Sequence, residues 1–326
     1  MFPILGSAML MVCLLTGVVR ADDANVGFRL VELEDPVSRK PMAAAVFFPT
    51  PDRAGVRQIG PLEIAAVRDA VPQAGRHPLV VLSHGSGASL SSHQDTAIFL
   101  ARHGYLVAAI EHPGDNYRDQ SGLGSDRVLV GRSLQLRALL DFLLAEPPFS
   151  TAIDATRIGV AGFSAGGYTA LVMVGAQPKF ALLEAYCARY ANSVLCSGGG
   201  RIGISSPPLI AHADSRIRGA FVMSPVAAFF DRESVSSIAV PVEIYAADHD
   251  SVLPIDGNAR WLRDNLPTLA GYTEIAGADH FVFLAPCSSP RQSAKPDLCV
   301  DSPGIDRLAV HAALNGDMLR FFQSFD

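Results

Sequence analysis

The chain contains 326 residues, of which 49% are hydrophobic, and its formal net charge is -6. This length and composition are sufficient for one large buried core. Acidic and basic residues are interspersed, so the sequence lacks the basic patches with which proteins bind nucleic acid or anionic membranes. The expected partner is therefore a small molecule. The sequence does not predict an oligomeric state.

The first part of the chain is an uncharged, mainly apolar segment, residues 2–19. Small residues near Ala21 predict a signal peptide, 1–21, which would be cleaved to leave a secreted or periplasmic chain, 22–326. Such a chain would have no stable membrane insertion. Because the segment begins without Lys or Arg, an uncleaved membrane anchor is the alternative.

Four cysteines remain after this segment, and they allow three disulfide pairings. The pairing of sequence neighbours, Cys187–Cys196 and Cys287–Cys299, closes two short loops and suits an oxidising compartment. Four reduced and buried cysteines are the alternative.

Apolar runs alternate with helical patterns along the chain, which predicts one domain with a mostly parallel central sheet flanked by helices. Strands are predicted at 28–33, 42–48, 79–82, 105–110, 157–163, 217–223, 242–245 and 272–275, the first two forming an antiparallel pair. Helices are predicted at 95–102, 134–144, 165–174, 258–265 and 307–322. The segment of about 177–215, rich in Gly, Ser, Ala and Cys, is predicted to be a cap-like insertion after the helix at 165–174.

A candidate nucleophile lies in segment 162–166, which reads GFSAG. The pattern G-x-S-x-G is typical of a sharp turn between a strand and a helix, where the serine backbone is strained and its hydroxyl is exposed. Here an apolar strand precedes the motif and a helix follows it. Ser164 is therefore the predicted nucleophile.

A serine nucleophile needs a base, and the base needs an acid that fixes its tautomer. His280 follows the last predicted strand, where a loop can bring the imidazole over the sheet edge. Asp250 follows the preceding strand in a D-x-x-V-P-like run, with Asp248 as the reserve acid. Asp279 is expected to be solvated.

Two backbone N–H groups are predicted to face the oxyanion that forms during attack: those of Ala165 and of Ser86, in the segment HGSG at 84–87. The segment EHPGD at 111–115 opens onto the same edge and could line the pocket, although His112 is expected to be structural. The spacing of acidic residues at 248–250 matches no standard metal loop. Neither a metal nor a cofactor is predicted.

Four segments of the chain carry a resemblance to a known family: LSHGSG, ARHGYLVAAIEHPGDN, RIGVAGFSAGGYTAL and GADHFVFLAPC. They resemble the exported "predicted dienelactone hydrolase" proteins. Those proteins are related to platelet-activating-factor acetylhydrolases and, more remotely, to polyester-degrading cutinases. The resemblance implies an α/β-hydrolase fold and cofactor-free hydrolysis of carboxylic esters. It also implies catalytic roles for Ser164, Asp250 and His280, with Ser86 and Ala165 in the oxyanion hole.

Two departures limit the resemblance. True dienelactone hydrolases use a cysteine where this chain has Ser164, and Phe163 replaces a histidine common in lipases and acetylhydrolases. The predicted function is a serine carboxylic-ester hydrolase that forms an acyl-enzyme from short-chain or small-alcohol esters. A lipase or polyester depolymerase, an amidase or peptidase, and a non-catalytic binding protein are the alternatives.

Overall fold

The computed structural model describes residues 25–53, 56–59 and 62–325, so the predicted signal peptide lies outside the described residues. The described strands, in chain order, are β1 (Asn25–Glu34), β2 (Pro41–Thr50), β3 (Val56–Ile59), β4 (Leu62–Ala65), β5 (Val67–Arg68), β6 (His77–Ser83), β7 (Leu106–Ile110), β8 (Ile153–Phe163), β9 (Ile217–Met223), β10 (Val242–Ala247) and β11 (Leu269–Ile275). The described helices are α1 (Gln94–Arg102), α2 (Asp126–Leu129), α3 (Gly131–Ala145), α4 (Phe149–Ala152), α5 (Ala165–Met173), α6 (Leu182–Arg189), α7 (Arg232–Val235), α8 (Ala259–Asn265), α9 (Ser289–Ala294), α10 (Pro296–Cys299) and α11 (Arg307–Gln323).

Within these residues, nine strands form one sheet in the order β11-β10-β9-β8-β6-β7-β2-β1-β5. Neighbours from β11 to β7 pair in parallel; Val81 of β6, for example, lies opposite Ala108 of β7 and Val160 of β8. The pairs β1–β2 and β2–β7 are antiparallel. The mostly parallel sheet and the antiparallel first pair are therefore confirmed.

Helices cover both faces of the sheet because its central strands are apolar on both sides. In β6, Leu79 and Val81 pack with α3, α5 and α8, whereas Val80 and Leu82 pack on the opposite face with α1 and α11. This two-sided burial explains why the central strands are continuous apolar runs. Within the described residues, no helix is long and apolar enough to cross a membrane.

The segment 177–215 contains α6, a 3₁₀ turn at Val194–Cys196 and the disulfide Cys187–Cys196. The middle of this segment contacts the loop after β10, where Ser193 Oγ donates to Val252 O at 3.5 Å. Its later part contacts α2, whose Asp126 carboxylate accepts hydrogen bonds from Ser205 and Leu209.

The second disulfide, Cys287–Cys299, follows β11. Both predicted pairings are therefore confirmed. The structure also contains elements that the sequence analysis did not predict, among them the β3–β4 hairpin and the short strand β5.

Candidate active site

Ser164 lies at a sharp turn between β8 and α5, with φ 56° and ψ -116°. This left-handed conformation is strained for a residue with a side chain. The Ser164 N–H donates to Met223 O at 2.9 Å, which ties the turn to β9. A Cβ on Gly162 would lie 2.1 Å from Gly166 O, and a Cβ on Gly166 would lie 1.9 Å from Ser83 O. Both flanking glycines are therefore required sterically, as the motif predicts.

His280 and Asp250 lie at the ends of neighbouring parallel strands, and their side chains are both 2% exposed. His280 Nδ1 is 2.7 Å from Asp250 Oδ2. An ionised carboxylate only accepts hydrogen bonds, so this contact places a proton on Nδ1 and leaves Nε2 as an acceptor. The other carboxylate oxygen, Oδ1, accepts from the Val252 N–H at 3.0 Å and the Leu253 N–H at 2.6 Å. The turn after β10 therefore holds the acid in place.

The imidazole of His280 packs against the residue before the nucleophile, with its ring centroid 4.7 Å from that of Phe163. Phe163 thus brings the histidine next to the Ser164 turn. Among the described residues, no direct hydrogen bond joins Ser164 Oγ to His280. Contacts between nucleophile and base are commonly longer in ligand-free enzymes and shorten when substrate binds.

The other two acidic residues near His280 have different partners. Asp248 Oδ1 accepts from the Gly277 N–H at 2.6 Å, so Asp248 braces the turn after β11. Asp279 was expected to be solvated, and the structure shows it partly exposed. Its carboxylate accepts from the N–H groups of Ser251 and His280 at 2.8 and 2.6 Å. Burial opposes ionisation of Asp279, but these hydrogen bonds outweigh it, and its pKa lies below the ordinary value.

The two predicted oxyanion donors belong to elements that border the nucleophile turn. Ala165 is the first residue of α5, and Ser86 is exposed in the loop after β6. That loop reaches the nucleophile turn, since a Cβ on Gly85 would lie 3.5 Å from Ser164 Cβ. Among the described residues, neither the Ser86 N–H nor the Ala165 N–H donates to another protein group. Both N–H groups are therefore available to a ligand.

The segment 111–115 contains buried side chains next to the Ser86 loop, while Pro113 and Gly114 are partly exposed. His112 is fully buried, with Nε2 2.9 Å from Ser83 Oγ and Nδ1 2.8 Å from Gln135 Oε1. Its expected structural role agrees with these contacts. Burial, and then the charge of Arg132, hold the pKa of both His112 and His84 well below the ordinary value. These two rings are therefore neutral.

Sequence analysis missed a buried ion pair beneath the loop that carries Ser86. Arg132 Nη1 lies 2.6 Å from Asp115 Oδ2, and both side chains are 1% exposed. Arg132 precedes the predicted start of its helix, and no local pattern indicates that its side chain is buried. In the described part of the chain, no group of three or more His, Cys, Asp or Glu residues could hold a metal ion.

The sheet order, the strained Ser164 after β8, and Asp250 and His280 after β10 and β11 are typical of an α/β-hydrolase fold. A family model described as "Platelet-activating factor acetylhydrolase, isoform II" matches residues 59–125. This segment includes Ser86 and Asp115 but ends before Ser164.

A ferulic acid esterase from Streptomyces cinnamoneus has a similar structure, with a TM-score of 0.64 and 20% sequence identity. The match covers 94% of this chain and 92% of that chain. A search of curated proteins found no match. The family model thus shows a local similarity to platelet-activating-factor acetylhydrolases, and the structural match shows the α/β-hydrolase fold.

Proposed function

We propose that the chain is a serine carboxylic-ester hydrolase. The observation that carries this proposal is the strained Ser164 turn, packed through Phe163 against a histidine that is hydrogen-bonded to Asp250. This arrangement provides a nucleophile, a base and an orienting acid in the chain order typical of the fold. The names of the matching family and of the similar structure, an acetylhydrolase and an esterase, support the same reaction class.

The proposed reaction proceeds through an acyl-enzyme. Ser164 Oγ attacks the ester carbonyl while His280 Nε2 takes the hydroxyl proton, and Asp250 stabilises the imidazolium that forms. The N–H groups of Ser86 and Ala165 bind the tetrahedral oxyanion. The imidazolium then protonates the leaving alcohol, and an acyl group remains on Ser164. Water activated by His280 attacks this acyl group, which releases the acid and restores the serine.

The insertion, 177–215, supports a preference for small esters. It extends from the loop after β10 to α2, so it crosses the sheet edge at which Ser164 lies. Its disulfide closes a loop within the segment, and the hydrogen bonds to Val252 and Asp126 connect the segment to the rest of the protein. We propose that it forms a fixed wall of the cleft and limits substrates to short acyl chains or small alcohols, rather than opening as a lipase lid.

We also propose that the protein is exported, to the periplasm or the extracellular medium. Two disulfides, Cys187–Cys196 and Cys287–Cys299, are typical of proteins that fold in an oxidising compartment. The proposed signal peptide, 1–21, agrees with this destination.

A fluorophosphonate probe and a series of p-nitrophenyl esters from acetate to palmitate test the proposed activity. We expect the probe to label Ser164, and the rate of hydrolysis to be highest with short acyl chains. The variant Ser164→Ala should lose labelling and ester turnover. Ser234→Ala is the control, because Ser234 is also buried but is distant from the Ser164 turn. It lies beyond the C-terminal end of α5, where its backbone carbonyl accepts from the Gln177 N–H.

Three results would contradict the proposal or part of it. Folded wild-type protein that is not labelled would favour a binding protein. Residual turnover in Ser164→Ala above about a hundredth of wild type would indicate another nucleophile. A maximum at palmitate would favour a lipase over an enzyme for small esters.

A further inference from the structure

The ion pair between Arg132 and Asp115 is unusual in its burial, since both side chains are 1% exposed. Taking two charges out of water is costly, and a buried ion pair often stabilises a protein no better than apolar residues of the same size. Burial of this pair therefore points to a role other than stability. Its hydrogen bonds show which parts of the structure it connects.

Asp115 holds the loop that carries Ser86. One carboxylate oxygen, Oδ1, accepts from Ser86 Oγ at 2.7 Å and from the Gly87 N–H at 2.9 Å. The other, Oδ2, accepts from Arg132. Arg132 Nη2 in turn donates to the carbonyl oxygen of His84, on the other side of Ser86. The pair thus fixes the loop both before and after Ser86.

The same guanidinium also contacts the helix that carries the second oxyanion donor. Arg132 Nε donates to Thr169 Oγ1 at 3.2 Å. Thr169 is fully buried in α5, and its hydroxyl donates to Ala165 O at 2.8 Å. This contact lies in the first turn of α5, the turn that begins with Ala165. One buried side chain therefore connects the two elements that border the Ser164 turn.

We propose that Arg132, with Asp115, is a positioning residue that sets the spacing between the Ser86 and Ala165 N–H groups. This inference rests on the proposed function. A guanidinium is planar and presents its donors in a rigid fork, so it can fix distance and orientation together. Oxyanion donors require such precision, because they must lie 2.7–3.1 Å from an atom that becomes charged only during the reaction. Asp115 neutralises the cation, so the contribution of the pair is geometric.

Two substitutions each remove one hydrogen bond of this connection while the ion pair stays intact. Ser86→Ala removes the hydroxyl bound to Asp115 but keeps the backbone N–H, and Thr169→Val removes the hydroxyl bound to Arg132. We expect each to lower kcat by about tenfold with little change in KM, because misplaced groups impair the transition state more than substrate binding. The inhibition constant of a trifluoromethyl ketone, whose adduct carries an oxyanion, should rise in parallel.

Two further variants separate positioning from a general effect on the fold. Thr169→Ser keeps the hydroxyl and should restore most of the rate lost in Thr169→Val. Ser234→Ala removes a matched hydrogen bond, because Ser234 Oγ and its N–H both donate to Asp231 Oδ1 at 2.8 Å, and it should leave kcat unchanged. Melting curves establish that each variant is folded.

The double variant Ser86→Ala/Thr169→Val tests whether Arg132 connects the two sites. If it does, losing one end already loosens the spacing, so the double variant should lose clearly less than the product of the two single effects. A loss equal to the product would mean two separate local effects and would overturn the inference. It would also be overturned by folded single variants with kcat within about twofold of wild type, or with changes in KM alone.

Failure of the proposed function would look different. In that case the fluorophosphonate probe would not label wild-type protein at Ser164. The wild type itself would be inactive, so the positioning variants would have no activity to lose. If the probe labels wild type at Ser164 but Ser86→Ala and Thr169→Val have the wild-type kcat, the proposed hydrolase function is retained. Only the proposed role of Arg132 is then rejected. Because Arg132→Leu and Asp115→Ala would each leave a buried charge unpaired, they are not used as tests.

Discussion

Replacing Asp250 by Asn tests the proposed acid with a minimal change in shape. The Asn side-chain carbonyl can take the position of Oδ1 and keep accepting from the Val252 and Leu253 N–H groups, so the turn after β10 should remain formed. The amide NH₂ then takes the position of Oδ2, 2.7 Å from His280 Nδ1. An NH₂ group can only donate, so Nδ1 must accept and the imidazole proton moves to Nε2.

This change of tautomer removes the base, because an Nε2 that carries a proton cannot accept one from Ser164. The same substitution in a well-studied serine protease triad lowers kcat by about 10⁴-fold. A loss of that size corresponds to about 5 kcal/mol in activation free energy. Because His280 Nδ1 is likewise hydrogen-bonded to a buried carboxylate, we expect a similar loss here.

The assay is hydrolysis of a short p-nitrophenyl ester, with circular dichroism to establish folding. Asp248→Asn is the matched control in the same loop, because an amide carbonyl there can still accept from the Gly277 N–H. It should lower kcat by less than about tenfold, or less than 1.4 kcal/mol. A severe loss in Asp248→Asn with a mild one in Asp250→Asn would reverse the assignment of the acid. Mild losses in both would refute the reasoning altogether.

Two further predictions concern stability. Reduction of Cys287–Cys299, with a sequence separation of 12, should lower the free energy of unfolding by about 3 kcal/mol; an unchanged melting curve with free thiols would contradict this. The pKa of the His93 imidazole is lowered to about 4, mainly by burial. The negative charge of Asp95 opposes this shift, and the charge of His311 adds to it. The unfolded chain binds a proton on His93 near pH 6.5, so stability should fall by about 3 kcal/mol as the pH falls from 6.5 to 4. Urea unfolding across this range measures the slope, and His93→Leu should reduce it; an equal slope in that variant would assign the effect to other groups.

The fold could be predicted from the sequence because its central strands are buried on both faces. Such strands are short apolar runs, and the structure extends those predicted at 79–82 and 157–163 to His77–Ser83 and Ile153–Phe163. The hairpin β3–β4 escaped prediction because isolated four-residue strands have little periodicity. The helix α3 begins at Gly131 rather than Leu134, since its first turn is polar although it is buried.

The site was predictable where chemistry depends on local sequence and not where it depends on distant contacts. The turn at Ser164 follows from glycines within two residues, and His280 and Asp250 follow from their places after successive strands. The pair of Asp115 and Arg132 joins side chains that only the folded chain brings together. A charged side chain next to an apolar helix is normally solvated, so its burial has no local signature.

The strand order has a consequence for when the protein can become reactive. The proposed base follows β11, which is both the last strand in the chain and an edge strand of the sheet. A nascent or truncated chain that ends before this strand therefore carries the serine without the histidine that would activate it. Such a chain should not hydrolyse esters, so ester hydrolysis measured in a cell extract would count only molecules whose synthesis has passed His280.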